Sequence, residues 1–166
     1  MSTSIRLMEL ARPDQPLLRE LQLKAPGTYH HSLVVSHMSE EAAHRIGADA
    51  LLCRVGAYYH DIGKLTNPSL FIENQVDGRN PHDQLDPETS ARYILAHSTE
   101  GVVRAQEAGL PGRLIDLIAE HHGTTLVRYF YARALERANG GLRPDASAFR
   151  YGGPRPQSKE AGILML

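Results

Sequence analysis

The pair His60-Asp61 stands inside the run Val55-Gly56-Ala57-Tyr58-Tyr59-His60-Asp61-Ile62-Gly63-Lys64, with further histidines before it at His31 and after it at His97, His121 and His122. Adjacent residues on a helix project about 100° apart. An imidazole and a carboxylate so placed can still grip one ion, and the second carboxylate oxygen can reach another, which is how a two-metal site begins. Imidazole and carboxylate ligands suit zinc, iron or manganese, and the lack of cysteine ligands argues against a structural zinc knuckle.

Such ligands act only if elements bring them to a common centre, and the chain reads as helices with almost no strand signal. Pro13, Pro16 and Pro26-Gly27 bound a short helix over about Leu17 to Leu23. Thr28 is expected to cap a long helix that runs to Ile46 and is stopped by Gly47. Asp49 is expected to cap the next helix, which carries Leu51, Leu52, Val55 and Tyr58 to His60-Asp61 and ends at Gly63. The stretch from Asn67 to Pro87 is rich in Asn, Asp, Gly and Pro, and loops of that length are often functional. Helices are predicted from Glu88 to about His97, around Val102 to Ala108, from Pro111 to His122 and from Leu126 to Ala138. A loop over Asn139 to Gln157 then leads to a last helix opening at Ser158.

Helical periodicity sorts the nine histidines. On the long helix, His31 shares a face with Val34, Val35, Met38, Ala42 and Ile46, which predicts that it points inward. His30, His37 and His44 lie on another face with Leu33 and Glu41 and read as solvated surface. His97 follows Tyr93 and Ile94, and His121 and His122 follow Ile118, so each closes an apolar face. Four separate helices are thus expected to end on inward His or His-Asp.

Composition narrows the function. A chain of 166 residues is long enough for one domain with a substantial core. The 18 Lys+Arg against 19 Asp+Glu give a net charge of -1, so no footprint for a nucleic acid polymer exists, while a small anionic ligand held by local groups is compatible. The single Cys53 allows no intramolecular disulfide, fits a reducing compartment and reads as core. No apolar run reaches membrane-span length, and Met1-Ser2-Thr3-Ser4 lacks signal-peptide order, so a soluble intracellular chain is expected.

Several segments together resemble a known family. These are Ala25 to Val35 (APGTYHHSLVV), Arg54 to Lys64 (RVGAYYHDIGK), Phe71 to Gln75 (FIENQ), Asn80 to Asp83 (NPHD), Glu120 to Leu126 (EHHGTTL) and Pro154 to Glu160 (PRPQSKE). From about Leu7 to Leu166 the chain is similar to the cytosolic HD domain of the PgpH-type, seven-transmembrane-receptor cyclic-di-AMP phosphodiesterases. The resemblance implies an all-α HD-domain helical bundle with a metal site between helices. It implies a phosphodiesterase that opens cyclic-di-AMP to linear 5′-pApA with two divalent transition metals, iron or manganese.

Residue by residue, the resemblance implies that His31, His60 and Asp61 hold one metal. Asp61 then bridges to a second held by His97, His121 and His122, and Lys64 meets a substrate phosphate oxygen. Asn80, His82 and Asp83 are expected near the substrate, and Glu73 and Asn74 are similar cases. Thr124 and Thr125 read equally well as caps of the following helix. The family continues the final helix into an Ala-Asp pair whose aspartate completes the first metal's ligands, and here the sequence stops at Leu166. The implied setting is the cytoplasmic side of a bacterial inner-membrane protein whose membrane helices lie outside this chain. The rival readings are an HD phosphohydrolase acting on other nucleotides and a non-catalytic metal- and nucleotide-binding sensor.

Overall fold

The computed structural model of the protein describes residues 3–166. Among them are the helices α1 (Thr3–Leu10), α2 (Pro16–Lys24), α3 (Pro26–Ile46), α4 (Ala50–Tyr59), α5 (Pro87–Glu107), α6 (Gly112–Glu120), α7 (Arg128–Ala138) and α8 (Lys159–Met165). Four short 3₁₀ turns join α4 to α5, and a fifth follows α7. The only β pairing among the described residues is an isolated bridge between Leu126 and Arg150. No helix there is long and apolar enough to cross a membrane.

Side chains set many of the helix ends. Asp49 accepts the Leu52 N–H at the start of α4, Asp86 accepts that of Thr89 on α5, and Ser158 accepts that of Ala161 on α8. Gly47 closes α3 in the left-handed region at φ 66°. The core forms around α4, on which Leu52, Cys53, Val55, Ala57, Tyr58 and Tyr59 are all buried. Leu7 and Leu10 of α1, Leu18 of α2, Leu114, Leu117 and Ile118 of α6, and Leu164 of α8 complete it. A smaller cluster of Ala91, Phe130, Ala134 and Phe149 ties α7 and the last 3₁₀ turn to α5.

The structure departs from expectation in four places. First, α1 was not foreseen. Second, α5 is one helix through Gly101, so His97 lies in its middle and not at an end. Gly101 does not stop this helix; it faces Gly63, and a Cβ on it would meet Ile118 Cγ2 at 2.9 Å. Third, α3 buries Thr28, Ser32, Ser36, Ser39 and Ala43, while Val34, Met38 and Ile46 are exposed. Small side chains let α3 lie close on α4, and Ser36 Oγ donates to the Leu33 carbonyl at 2.7 Å, which satisfies the hydroxyl locally. Fourth, Thr28 lies inside the first turn of α3, which begins at Pro26, and is not its cap. The exposed stripe of His30, His37 and His44 is as expected.

Candidate metal centre

The helical path of α4 ends at Tyr59, and at Asp61 the chain turns with φ −107° and ψ 15° into the 3₁₀ turn Ile62–Thr66. That turn lies directly on α5. A Cβ at Gly63 would stand 1.8 Å from the His97 carbonyl oxygen, so only glycine permits the approach. The sequence reading took Gly63 as a helix stop, whereas its lack of a side chain is what brings Asp61 against α5.

Asp61 is 2 % exposed and sits at the centre of the histidines. Its Oδ1 is 3.3 Å from His97 Nε2 and 3.6 Å from His121 Nε2. Its Oδ2 is 3.2 Å from His60 Nε2 and 3.9 Å from His31 Nε2. His122, just past the end of α6, reaches His97, with Nε2 to Nε2 at 3.1 Å. The donor atoms form two groups, Asp61 with His97, His121 and His122, and Asp61 with His31 and His60, and within each group they lie inside 4.8 Å of one another.

The tautomers are fixed by the helices. Nδ1 of His60, His97 and His121 lies 2.7, 2.5 and 2.7 Å from the carbonyls of Ala57, Ile94 and Ile118, each three residues back. A carbonyl can only accept, so in each neutral ring the proton is on Nδ1 and Nε2 presents a lone pair to the centre. His97 and His121 then face each other through acceptor nitrogens 3.3 Å apart, with Asp61 Oδ1 beside both and no proton among the three. Such a knot of buried acceptors fits a cation. Its borderline nitrogen and hard oxygen donors, without thiolate, suit a divalent transition ion.

Electrostatics point the same way. Burial works against the Asp61 charge, but the positive charges of a protonated His60 and of Lys64 outweigh it and hold the carboxyl well below the usual range. Burial likewise opposes the His60 charge, but Asp61 raises the pKa of that ring, so an ion entering this centre displaces a proton from it. Burial lowers His121 and, with the rings of His121 and His97 close by, pushes His122 down to about 2. Both rings are therefore neutral and able to ligate near neutral pH.

His31 is placed differently from its prediction. It occupies the rim, with 47 % of its side chain exposed, because the buried stripe of α3 runs through the neighbouring serines. Lys64 Nζ lies 2.9 Å from Asp61 Oδ2 and 2.7 Å from Glu73 Oε1, and 5.0 Å from the centre of the Phe71 ring. Thr28 Oγ1 donates to Glu73, and Asn74 accepts the Thr28 N–H. These bonds fasten the loop after α4 to the start of α3. A Cβ at Gly27 would lie 1.8 Å from the Glu73 carbonyl oxygen, so glycine is needed there too.

Asn80, His82 and Asp83 are outside both donor groups. Asn80 Oδ1 accepts the His82 N–H, and the buried His82 ring donates through Nε2 to the Leu70 carbonyl and packs on Phe130, 4.9 Å between centroids. Asn80 and His82 line a largely apolar cavity of about 410 Å³ with Phe71, Ile72, Tyr129 and Phe130. Asp83 lines a separate surface recess with Arg133 and Arg137. Tyr151 was missed by sequence reasoning. Its ring stacks on His122 at 4.1 Å and 17°, and no periodicity marks an aromatic residue inside a Gly/Pro-rich loop.

Comparison with known proteins follows the same residues. The model of the HD domain family matches residues 28–166. The cyclic-di-AMP phosphodiesterase PgpH of Listeria monocytogenes is 49% identical over 164 residues, which is 98% of this chain and 22% of that protein. The cyclic-di-AMP phosphodiesterase PgpH of Bacillus subtilis is 47% identical over 162 residues, again 98% of this chain and 22% of the other. The chain thus spans about a fifth of the length of these relatives. The crystal structure of the L. monocytogenes PgpH HD domain in complex with cyclic-di-AMP matches with a TM-score of 0.87 at 47% identity, covering 93% of this chain and 71% of that one. With the family match over most of its length, the chain whose donors converge on His60-Asp61 belongs to the HD domain family.

Proposed function

We propose that this domain is a metal-dependent phosphodiesterase that cleaves one phosphodiester bond of cyclic-di-AMP and releases the linear 5′-phosphorylated dinucleotide, pApA. The observation that carries the reading is the set of buried acceptors around Asp61, into which three helices direct Nε2 lone pairs. The likeness to relatives named for this activity, and to a domain solved with cyclic-di-AMP, supports the choice of substrate. It also supports a place for the domain on the cytoplasmic side of a larger bacterial membrane protein.

In this reading His31, His60 and Asp61 hold one divalent cation, and Asp61, His97, His121 and His122 hold a second, both iron or manganese. When bound, such a pair supplies Lewis acidity that makes water acidic near neutral pH and offsets charge developing at phosphorus. The remaining work falls to the chain. Asp61 presents one oxygen to each donor group and keeps its negative charge. Lys64, steadied by Glu73, offers a fixed positive charge to a phosphate oxygen. Phe71 and Tyr151 flank the histidines with apolar surface and limit the access of bulk water. One base of the dinucleotide occupies the cavity lined by Phe71, Ile72, Tyr129, Phe130, Asn80 and His82. Asn80 Nδ2 and Gln75 Oε1 at that cavity make no hydrogen bond among the described residues, and such a donor and acceptor can pair with the ring nitrogen and N6 amino group of adenine. Asp83 takes no part in this reading.

The test is incubation of the manganese- or iron-loaded domain with cyclic-di-AMP, with products separated by chromatography and metal measured in the same sample. Appearance of pApA that stops on chelation is expected. Metal-loaded protein that binds cyclic-di-AMP and leaves it intact would make the domain a sensor and overturn the proposal.

A further inference from the structure

Positive charge without an acidic partner gathers just beyond the metal centre. Arg128, Arg150 and Arg155 line one open cavity of about 470 Å³ together with Thr124 and Thr125, and no carboxylate lines it. None of the three guanidinium groups is within ion-pair distance of an acid among the described residues, in a chain whose net charge is -1.

Two of them are held in place. Arg150 Nη1 donates to the Thr124 carbonyl at 3.2 Å, and Arg155 Nε donates to Thr124 Oγ1 at 3.2 Å. The frame behind them is built as well. The Tyr151 N–H donates to the Thr125 carbonyl at 3.0 Å, the Val127 N–H donates to that of Phe149 at 2.8 Å, and Leu126 bridges to Arg150. Arg128 stands in the first turn of α7, which has no acidic residue there and no side-chain cap, so a cation lies at the positive end of the helix. Three like charges and a helix start of the same sign become favourable together when an anion enters.

We propose that this cavity is a phosphate-binding site, and that it takes the phosphodiester of the cyclic dinucleotide that is not at Asp61. The assignment to the dinucleotide rests on the function proposed above. The connection to the centre is short. Thr124, which accepts from both Arg150 and Arg155, is two residues after His122, a span of at most about 7 Å. In this assignment a ligand with one phosphate at Asp61 carries its second to the arginines, whereas a ligand with a single phosphate leaves them unused. The site thereby favours two-phosphate substrates over simple diesters.

The experiment compares the metal-loaded wild type with Arg150→Gln, Arg155→Gln and the double variant on two substrates, cyclic-di-AMP and bis(4-nitrophenyl) phosphate. Each single change is expected to raise KM for cyclic-di-AMP roughly 10- to 100-fold, the loss of one charge-assisted contact, with Arg155→Lys recovering part of it. Hydrolysis of bis(4-nitrophenyl) phosphate is expected to stay within twofold. A KM for cyclic-di-AMP within twofold of wild type in the double variant overturns the assignment to the substrate, as does an equal loss on both substrates. A wild type that cleaves the nitrophenyl ester but not cyclic-di-AMP sinks the dinucleotide reading and, with it, this choice of occupant. The anion site itself is then decided by sulfate. Sulfate should raise the unfolding midpoint of the wild type more than that of the double variant, and equal shifts overturn the site.

Discussion

The two halves of the Asp61 cluster are built in different ways. In the deep half, His97 and His121 are buried, their Nδ1 protons rest on backbone carbonyls, and Gly63 and Gly101 hold the supporting backbones in contact. In the outer half, His31 is half exposed on α3 and makes no hydrogen bond among the described residues; its nearest carboxylate oxygen is 3.9 Å away. One position is set by folding. The other is completed by a ring still free to turn, and the two should differ in affinity even though the same Asp61 serves both.

The largest expected effect is common to both halves. Asp61→Ala should bring metal content near zero and lower turnover on the order of 10³-fold or more. A full equivalent of metal left in that variant would break the view of Asp61 as the shared ligand. Next comes Gly63→Ala, which forces a methyl group against the His97 carbonyl. It should cost about 2–4 kcal/mol and roughly 5–15 °C in the thermal midpoint, with metal lost from the deep half first. An unchanged midpoint would show that the turn and α5 can separate freely.

The comparison itself is sharpened by His97→Ala against His31→Ala in equilibrium dialysis. The deep change should weaken metal binding by more than about 100-fold, and the rim change by about 10-fold at only one of two sites. Equal losses would dissolve the distinction.

The smallest effect comes from Glu160, remote from both halves. It accepts the Asp49 N–H at 2.8 Å and is 8 % exposed. That backbone hydrogen bond holds its carboxyl below the ordinary value of 4.5. A depressed folded pKa means stability that is present above 4.5 and lost as pH falls through the folded value. Glu160→Gln should therefore lower stability by about 1 kcal/mol at pH 7, with the gap to wild type closing under acid and the ratio of the two metal affinities unmoved. A gap that persists undiminished at pH 2 would assign the loss to packing.

What the chain revealed, and what it hid, follows from how each residue is used. The cap at Asp49 and the opening of the last helix at Ser158 were legible because a capping side chain acts within its own turn, and the irregular stretch after α4 because Asn, Asp, Gly and Pro act locally. The orientation of α3 was not, because small serines are buried here beside alanine where the helix lies close on α4, with Ser36 bonding to its own helix, and that leaves Val34, Met38 and Ile46 outside. The break expected between His97 and Val102 does not exist, since Gly101 in that interval serves contact with another backbone, and in sequence such a glycine looks like one needed for a turn. The pairing of Lys64 with Glu73 and the stacking of Tyr151 on His122 lie outside any periodic signal, because loop geometry alone sets them.

His60, His97 and His121 are each tied to a carbonyl of the chain that carries them. Their ring rotation is frozen when that chain folds, so capturing an ion leaves little rotational entropy to lose. Fixing a mobile side chain costs about 0.5–1.5 kcal/mol. Three rings already fixed are worth roughly 2–4 kcal/mol of binding free energy, or about 30- to 1,000-fold in affinity. Selectivity among ions then comes from how well a rigid cage matches each ion's radius, because these three rings cannot rotate to suit a poorer fit.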